Sequence, residues 1–162
     1  MAFRSIKRLT ADKHMSDVMR KKAMFICQLT GKDYSDRPQG LQLSHFIGRG
    51  NWSVRFDPKN CLVLSAWAHK EMESHPVNHI ALWREIHGGI YGRPESDAEL
   101  NALLGRSTCI ERAKYARANH DKIGKHYLAI SKELDTLTEE EINEYEIHPP
   151  IYRERAKTLS DT

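Results

Sequence analysis

Apolar residues thread the chain at intervals that change along its length. From His14 to Phe25, Met15, Val18, Met19 and Ala23 form a thin stripe in a basic segment, which predicts an amphipathic helix. From Cys27 to Gly40 that period is lost. Thr30-Gly31, Asp33, Ser35-Asp36 and Pro38-Gln39-Gly40 predict turns instead. Leu41 to Phe46 then alternates as a short strand does, with Leu41, Leu43 and His45 on one side. A loop from Gly48 to Lys59 carries Arg49, Arg55 and Asp57-Pro58, and Cys61-Leu62-Val63-Leu64 reads as a second strand. Ala66 to Ser74 reads as a helix that must end or kink before Pro76, because the residue ahead of a proline is driven out of the α region.

Beyond Pro76 the pattern is helical. Val77 to His87 forms one segment, closed by Gly88-Gly89, and Ser96 to Asn119 a second, with Ser96 suited to cap its start. Ile123, Tyr127, Ile130, Leu134 and Leu137 fall at spacings of four, three, four and three, a seam able to pack against another helix. That seam predicts an intramolecular face first, and a homodimer through the C-terminal helices as its other use. Thr138-Glu139-Glu140-Glu141 resembles a capping box opening a last short helix, which Pro149-Pro150 stops. The expected class is α+β: a strand–loop–strand–helix unit within residues 41–74, preceded by a basic helix and followed by a mainly helical part. Three regions are expected, namely a core over 1–75, a helical region over 76–148 and a polar tail over 149–162.

Composition narrows the function. At 162 residues, 40% hydrophobic and 29% charged, the chain suits a soluble globular protein. It has no apolar run near the roughly 18 residues of a membrane span. The N-terminus is positively charged with no apolar stretch behind it, so the cytoplasm is the expected compartment. Cys27, Cys61 and Cys109 are odd in number and far apart, which argues against a disulfide framework. The net charge of +3 conceals an asymmetry: Met1 to Lys70 holds 13 Lys and Arg against 5 Asp and Glu, and the remainder holds 12 against 17. A basic half of this kind suits contact with a polyanion.

Cutting a phosphodiester needs a base to deprotonate water, and positive charge beside the phosphate and the leaving oxygen. One histidine and one divalent metal can supply both. Residues 44–70 carry such parts in order: His45 on the first strand, Asn60 at the entry to the second, and His69 on the helix. The run Asn60-Cys-Leu-Val-Leu-Ser-Ala-Trp-Ala-His69-Lys70 resembles the HNH (His-Me finger) endonuclease pattern of Asn, apolar strand, Cys-x-x-Cys-His and Lys. Cys27-Gln-Leu-Thr30-Gly31 resembles that family's first Cys-x-x-Cys-Gly knuckle. His45-Phe-Ile-Gly-Arg49 followed by Arg55-Phe-Asp-Pro-Lys-Asn60 resembles phage recombination nucleases of the NinG/Rap kind, which also continue into a helical part. The resemblance covers Cys27 to Lys70 well and Glu71 to Leu134 loosely.

The resemblance implies a ββα-metal finger that hydrolyses DNA, with recombination or branched intermediates among its expected substrates, in the cytoplasm of a bacterial host if phage-encoded. It implies His45 as general base, Asn60 as the residue that orients it or touches the metal, and His69 as principal metal ligand. Asp57 is a further candidate ligand or only a turn former. Arg49, Arg55, Lys59 and Lys70 would contact DNA. Magnesium or manganese is expected ahead of zinc. The four positions that carry structural zinc thiolates in many HNH proteins read Cys27, Thr30, Ser65 and Ala68, so structural zinc is not expected, and packing around Trp67, Leu43 and Phe25 would have to hold the knuckle. Ser44 stands where many relatives carry a ligating Asp, Glu or His. That substitution favours a rival reading, a catalytically decayed scaffold that binds DNA. A third reading, a helical interaction protein, has no positive sign in the sequence.

The remaining histidines have ordinary explanations. His75 and His79 are four apart, but Pro76 lies between them, and Glu73 could pair with His79 or with His69. His87 suits a helix C-terminus, where the dipole favours a cation. Cys61 and Cys109 read as small buried hydrophobes.

Overall fold

A computed structural model describes residues 8–46, 55–87, 120–148 and 150. Arg49, Cys109, the expected helix from Ser96 to Asn119 and the tail after 150 lie outside the described residues. The architecture is α+β. Helix α1 (Thr10–Lys22) leads to an antiparallel pair of strands, β1 (Leu41–His45) and β2 (Cys61–Ser65). There follow α2 (Ala66–Ser74), α3 (Pro76–His87), α4 (His120–Leu134) and α5 (Glu139–Glu144).

Helix α1 begins four residues earlier than its stripe predicts. Asp12, at the third helical position, accepts a hydrogen bond from the Leu9 N–H at 2.7 Å and so satisfies a donor at the helix start. The helix also stops sooner, because Met24 and Phe25 adopt φ of 52° and 58° and turn the chain away. Of the expected stripe, Met15, Val18 and Met19 are buried and Ala23 is partly buried, and Ala11 joins them.

The turn region reverses through Gly31 at φ 73°. It then passes Gly40, where a Cβ would stand 2.6 Å from the Tyr34 ring, so no larger residue fits. β1 and β2 pair from Leu41 opposite Ser65 to His45 opposite Cys61. All five β2 residues are buried, whereas β1 buries only Leu41 and Ser44. Ser65 caps α2 by accepting the Ala68 N–H at 3.2 Å. α3 opens on Pro76, one residue before the expected start, since proline's missing N–H costs nothing in a first turn.

The seam on α4 packs within the same chain. Ile123, Tyr127, Ile130 and Leu134 are buried, and α1 lies so close that a Cβ on Gly124 would meet the Ala11 backbone at 3.5 Å. One continuous apolar cluster joins α1, both strands and α2 to α3 and α4, so the core runs across the boundary expected at residue 75. Thr138 and Glu141 form the expected capping box of α5, at 3.2 and 3.1 Å, and α5 ends at Glu144, ahead of Pro149-Pro150. No helix among the described residues is long and apolar enough to cross a membrane.

Candidate functional site

The segment from Arg55 to Cys61 connects the elements around β1. It has no regular structure beyond a single 3-10 turn, so its carbonyls need partners from elsewhere. The Arg55 carbonyl lies 3.0 Å from His45 Nε2. The Phe56 carbonyl accepts the Tyr127 hydroxyl of α4. The Lys59 carbonyl accepts the Trp83 indole N–H at 3.0 Å, and the Cys61 carbonyl lies 2.7 Å from His87 Nε2, both on α3. The Asn60 carbonyl accepts the Phe46 N–H at 2.8 Å, which ties the end of β1 to the start of β2. Phe46 in turn stacks flat on Trp83, with centroids 4.3 Å apart.

This arrangement sets the tautomer of His45. A carbonyl oxygen can only accept, so Nε2 carries the proton and Nδ1 keeps its lone pair in the neutral ring. His45 is half-buried and borders a cavity of about 250 Å³. The same cavity is bordered by His69 and Gln42, by the α1 residues Asp12, Ser16 and Arg20, spaced four apart, and by Arg8 four positions ahead of Asp12. The two histidines singled out in the sequence therefore share a cavity, one from β1 and one from α2.

Asn60 and Asp57 do not line that cavity. Asn60 is fully buried at the strand entry, and its backbone bonds Asp57 and Phe46. Asp57 is 3% exposed, and its carboxylate accepts the Lys59 N–H at 3.0 Å, which shapes the turn into Pro58.

Arg55 is not presented to a ligand. It is 2% exposed and clasps Asp12 with two nitrogens, Nε at 3.0 Å and Nη2 at 2.6 Å. A guanidinium in that position must have a carboxylate beside it, because an uncompensated buried charge is strongly unfavourable. Lys59 and Lys70 are exposed, as contact with a polyanion requires. Several cations of α1 serve the fold instead. Lys21 bonds Ser131 of α4 at 2.8 Å and Asp135 at 2.7 Å, and Lys22 reaches the Ile142 carbonyl at 2.6 Å. Burial lowers the Lys22 pKa from its ordinary value.

His69 has a partner at each ring nitrogen: the Gln42 side-chain oxygen at 2.8 Å from Nδ1 and Glu73 at 3.0 Å from Nε2. Glu73, four residues on along α2, thus pairs with His69 rather than His79. A carboxylate behind one imidazole nitrogen fixes the tautomer and raises the basicity of the other, as in many metal sites. Among the described residues no three His, Cys, Asp or Glu side chains cluster closely enough to enclose an ion. Of the candidate ligands read from the sequence, His69 borders the cavity, and both of its ring nitrogens are already engaged. His75 bonds the Glu71 carbonyl at the end of α2, and His79 packs edge-on to Phe46 at 4.9 Å. Burial lowers the pKa of His79, and His69 nearby lowers it further against an opposing effect of Glu73.

The four positions that hold zinc thiolates in many HNH proteins also converge. Cys27 Sγ accepts the Ser65 N–H at 3.3 Å and lies 3.8 Å from Ser65 Oγ, which accepts the Ala68 N–H. Burial raises the Cys27 pKa, but hydrogen bonds from the Thr30 side chain and the Ser65, Thr30 and Leu29 backbone outweigh it and leave the thiol below its ordinary value. Gln28 bonds Val63 in both directions, at 2.9 and 2.7 Å. Trp67, expected to pack this knuckle, is 63% exposed and does not. Hydrogen bonds to Cys27 and Gln28 hold the knuckle to β2, with Phe25 and Leu43 half-buried against the core.

No family model, curated protein or solved structure matches this chain.

Sequence reasoning missed Asp12 and Gln42 as members of the site and left Glu73 between His69 and His79, of which it pairs with His69. For Glu73 the signal was its spacing of four from His69 on one helix face. Asp12 gave no such signal, since its partner lies 43 residues away.

Proposed function

We propose that this chain is a divalent-metal-dependent endonuclease of the HNH (His-Me finger) type that hydrolyses DNA. The observation that carries the reading is the pairing of His45 and His69 across one cavity, with His45 Nε2 held at 3.0 Å by the Arg55 carbonyl. That contact leaves Nδ1 as the basic atom. In the reaction Nδ1 takes a proton from water as the water oxygen bonds to phosphorus, and the bond to the leaving sugar oxygen breaks. His69 would hold the divalent cation, which when bound would supply positive charge to the phosphate and the leaving oxygen. Glu73 and Gln42 orient the His69 ring, and Gln42 must release Nδ1 for that nitrogen to act as ligand. Asn60 supports the loop that presents the Arg55 carbonyl. Lys59 and Lys70 are exposed for DNA phosphates, and Arg49 remains a candidate for the same role. The convergence of Cys27, Thr30, Ser65 and Ala68 supports a zinc knuckle that has lost its metal. A role in recombination or on branched DNA is part of this proposal through the resemblance alone.

Purified protein incubated with magnesium or manganese on duplex, nicked and four-way DNA tests the reading. Cleavage is expected, and His45→Ala should abolish it. If all three substrates survive with either metal, the catalytic reading fails.

A decayed scaffold that binds DNA without cutting it is the second reading. It is favoured by His69, whose two ring nitrogens are both engaged, and by Ser44, whose buried hydroxyl has no hydrogen-bond partner among the described residues. It predicts salt-sensitive DNA binding and no heat of magnesium or manganese binding that His69→Ala removes.

A further inference from the structure

We infer that Asp12 of helix α1 is a positioning residue for His45, acting through Arg55. Three contacts form the connection. Asp12 is anchored by the Leu9 N–H at 2.7 Å. Its two oxygens take Arg55 Nε at 3.0 Å and Nη2 at 2.6 Å, in a clasp that is 3% exposed on the Arg55 side chain and 6% on that of Asp12. The carbonyl of the same Arg55 lies 3.0 Å from His45 Nε2. A planar guanidinium bound at two points cannot rotate about one contact, so the clasp fixes the residue as well as its charge. The peptide carbonyl of Arg55 is thereby aimed at the ring, and the ring is kept in the Nε2–H tautomer. The state of a side chain on β1 is set by a carboxylate on a helix 33 positions earlier in the chain.

The chemistry requires such a device. Imidazole in water populates both tautomers and rotates freely. A base works only when its lone pair lies on the nitrogen that faces the proton to be removed. Nine residues separate His45 from Arg55 in the sequence, so strand pairing at His45–Cys61 alone does not orient the carbonyl. The catalytic consequence rests on the nuclease reading above, but the tautomer does not.

The test separates the two. The full chain, labelled with 15N-histidine, is examined by long-range proton–nitrogen correlation, with His45 assigned by the signal lost in His45→Ala. The native ring should show the Nε2–H pattern. Asp12→Asn should convert it to a mixture of tautomers, and Asp12→Glu should restore most of the native pattern. Because Asp12→Asn leaves a buried cation and can prevent folding, Arg55→Lys is measured beside it. That change keeps the charge and removes the two-point clasp, and it should also mix the tautomers. A folded Asp12→Asn or Arg55→Lys protein whose His45 stays wholly Nε2–H overturns the inference. On DNA, Asp12→Asn should lower kcat at least about tenfold, within the range general bases contribute, with KM unchanged and the acid limb of the pH profile moved. A native protein that shows the tautomer effect but cuts no DNA refutes the nuclease reading and leaves the positioning role standing.

Discussion

Restoring three thiolates to the knuckle should create a zinc site where none is now expected. A tetrahedral ion with Zn–S bonds of 2.3 Å has ligand atoms about 3.8 Å apart. Cys27 Sγ and Ser65 Oγ are already 3.8 Å apart. The Thr30 side chain reaches Cys27, and the Ala68 N–H reaches Ser65, so the other two positions stand around the same point. The variant Thr30→Cys, Ser65→Cys, Ala68→Cys would complete a four-thiolate set with Cys27. Without metal it should be less stable, since loss of the Ser65 cap costs about 1 kcal/mol. With free zinc at about a thousand times its Kd, binding to the folded state contributes about 4 kcal/mol. For a chain of this length that is a rise of roughly 8–16 °C in Tm. Thermal melts with zinc and with a chelator measure the difference, and metal analysis after gel filtration gives the stoichiometry, expected to be one. Adding Cys27→Ser should weaken zinc retention. A folded triple variant that retains no zinc, or melts at one temperature with and without chelator, would refute the claim that these positions converge as a knuckle.

Other outcomes follow from the packing and the buried histidines. Trp83→Ala should cost about 3–5 kcal/mol in urea denaturation, because Trp83 is 1% exposed, stacks on Phe46 and donates to the Lys59 carbonyl. Trp67→Ala, at 63% exposure, should stay within about 0.5 kcal/mol by the same measurement. Tyr127→Phe removes a buried hydrogen bond to the Phe56 carbonyl, for a loss of about 1–3 kcal/mol in the same measurement. Desolvation lowers the His87 pKa from an ordinary 6.5, against the opposing contact with the Cys61 carbonyl, and it lowers His79 likewise. The unfolded chain then binds more protons than the folded one once pH falls below about 6.5. Stability should therefore be full above that pH and decline as pH falls through the lowered folded values. Denaturant midpoints between pH 7.5 and 5 should show a drop that His87→Gln reduces.

Much of the local structure was legible because it depends on local period and caps. β1, β2, α2 and the capping box of α5 stand where alternation, helical period and Thr138 placed them. The seam on α4 was legible as a face, and its partner, α1, was not, since nothing in a spacing names what covers it. The opening of α1 was missed because Leu9-Thr10-Ala11 carries no strong cap, and the residue that satisfies Leu9 is Asp12, which reads locally as a surface charge. Arg55 was misplaced for the same reason. Arg-Phe-Asp-Pro looks like a solvent loop until the Asp12 carboxylate is brought to it by folding. Trp67 shows the converse error, as a large aromatic beside buried Ser65 and Ala68 that faces outward. His45 and His69 could be picked out by order and spacing, but the contacts that give them distinct roles, Arg55 to one and Gln42 with Glu73 to the other, come from pairing and helix geometry.

The irregular segment from Arg55 to Cys61 explains how a small sheet can orient a reactive side chain. Two strands of five residues give little rigidity alone. Rigidity must come from what holds the connecting backbone, and here the carbonyls of Arg55, Phe56, Lys59 and Cys61 are bonded to His45, Tyr127, Trp83 and His87, from β1, α4 and α3. Helices α3 and α4 therefore contribute to the site without lining it, and the Asp12–Arg55 clasp ties α1, which does line it, to the same segment. A mutation in α4 or α3 that frees one carbonyl should be felt at His45 as motion of the loop. The His45 tautomer is consequently a more sensitive reporter of the C-terminal helices than global stability is. Tyr127→Phe should broaden or mix the His45 nitrogen signals even where its cost in denaturant is small, and a Tyr127→Phe protein with an unchanged His45 signal would show that the clasp alone is sufficient.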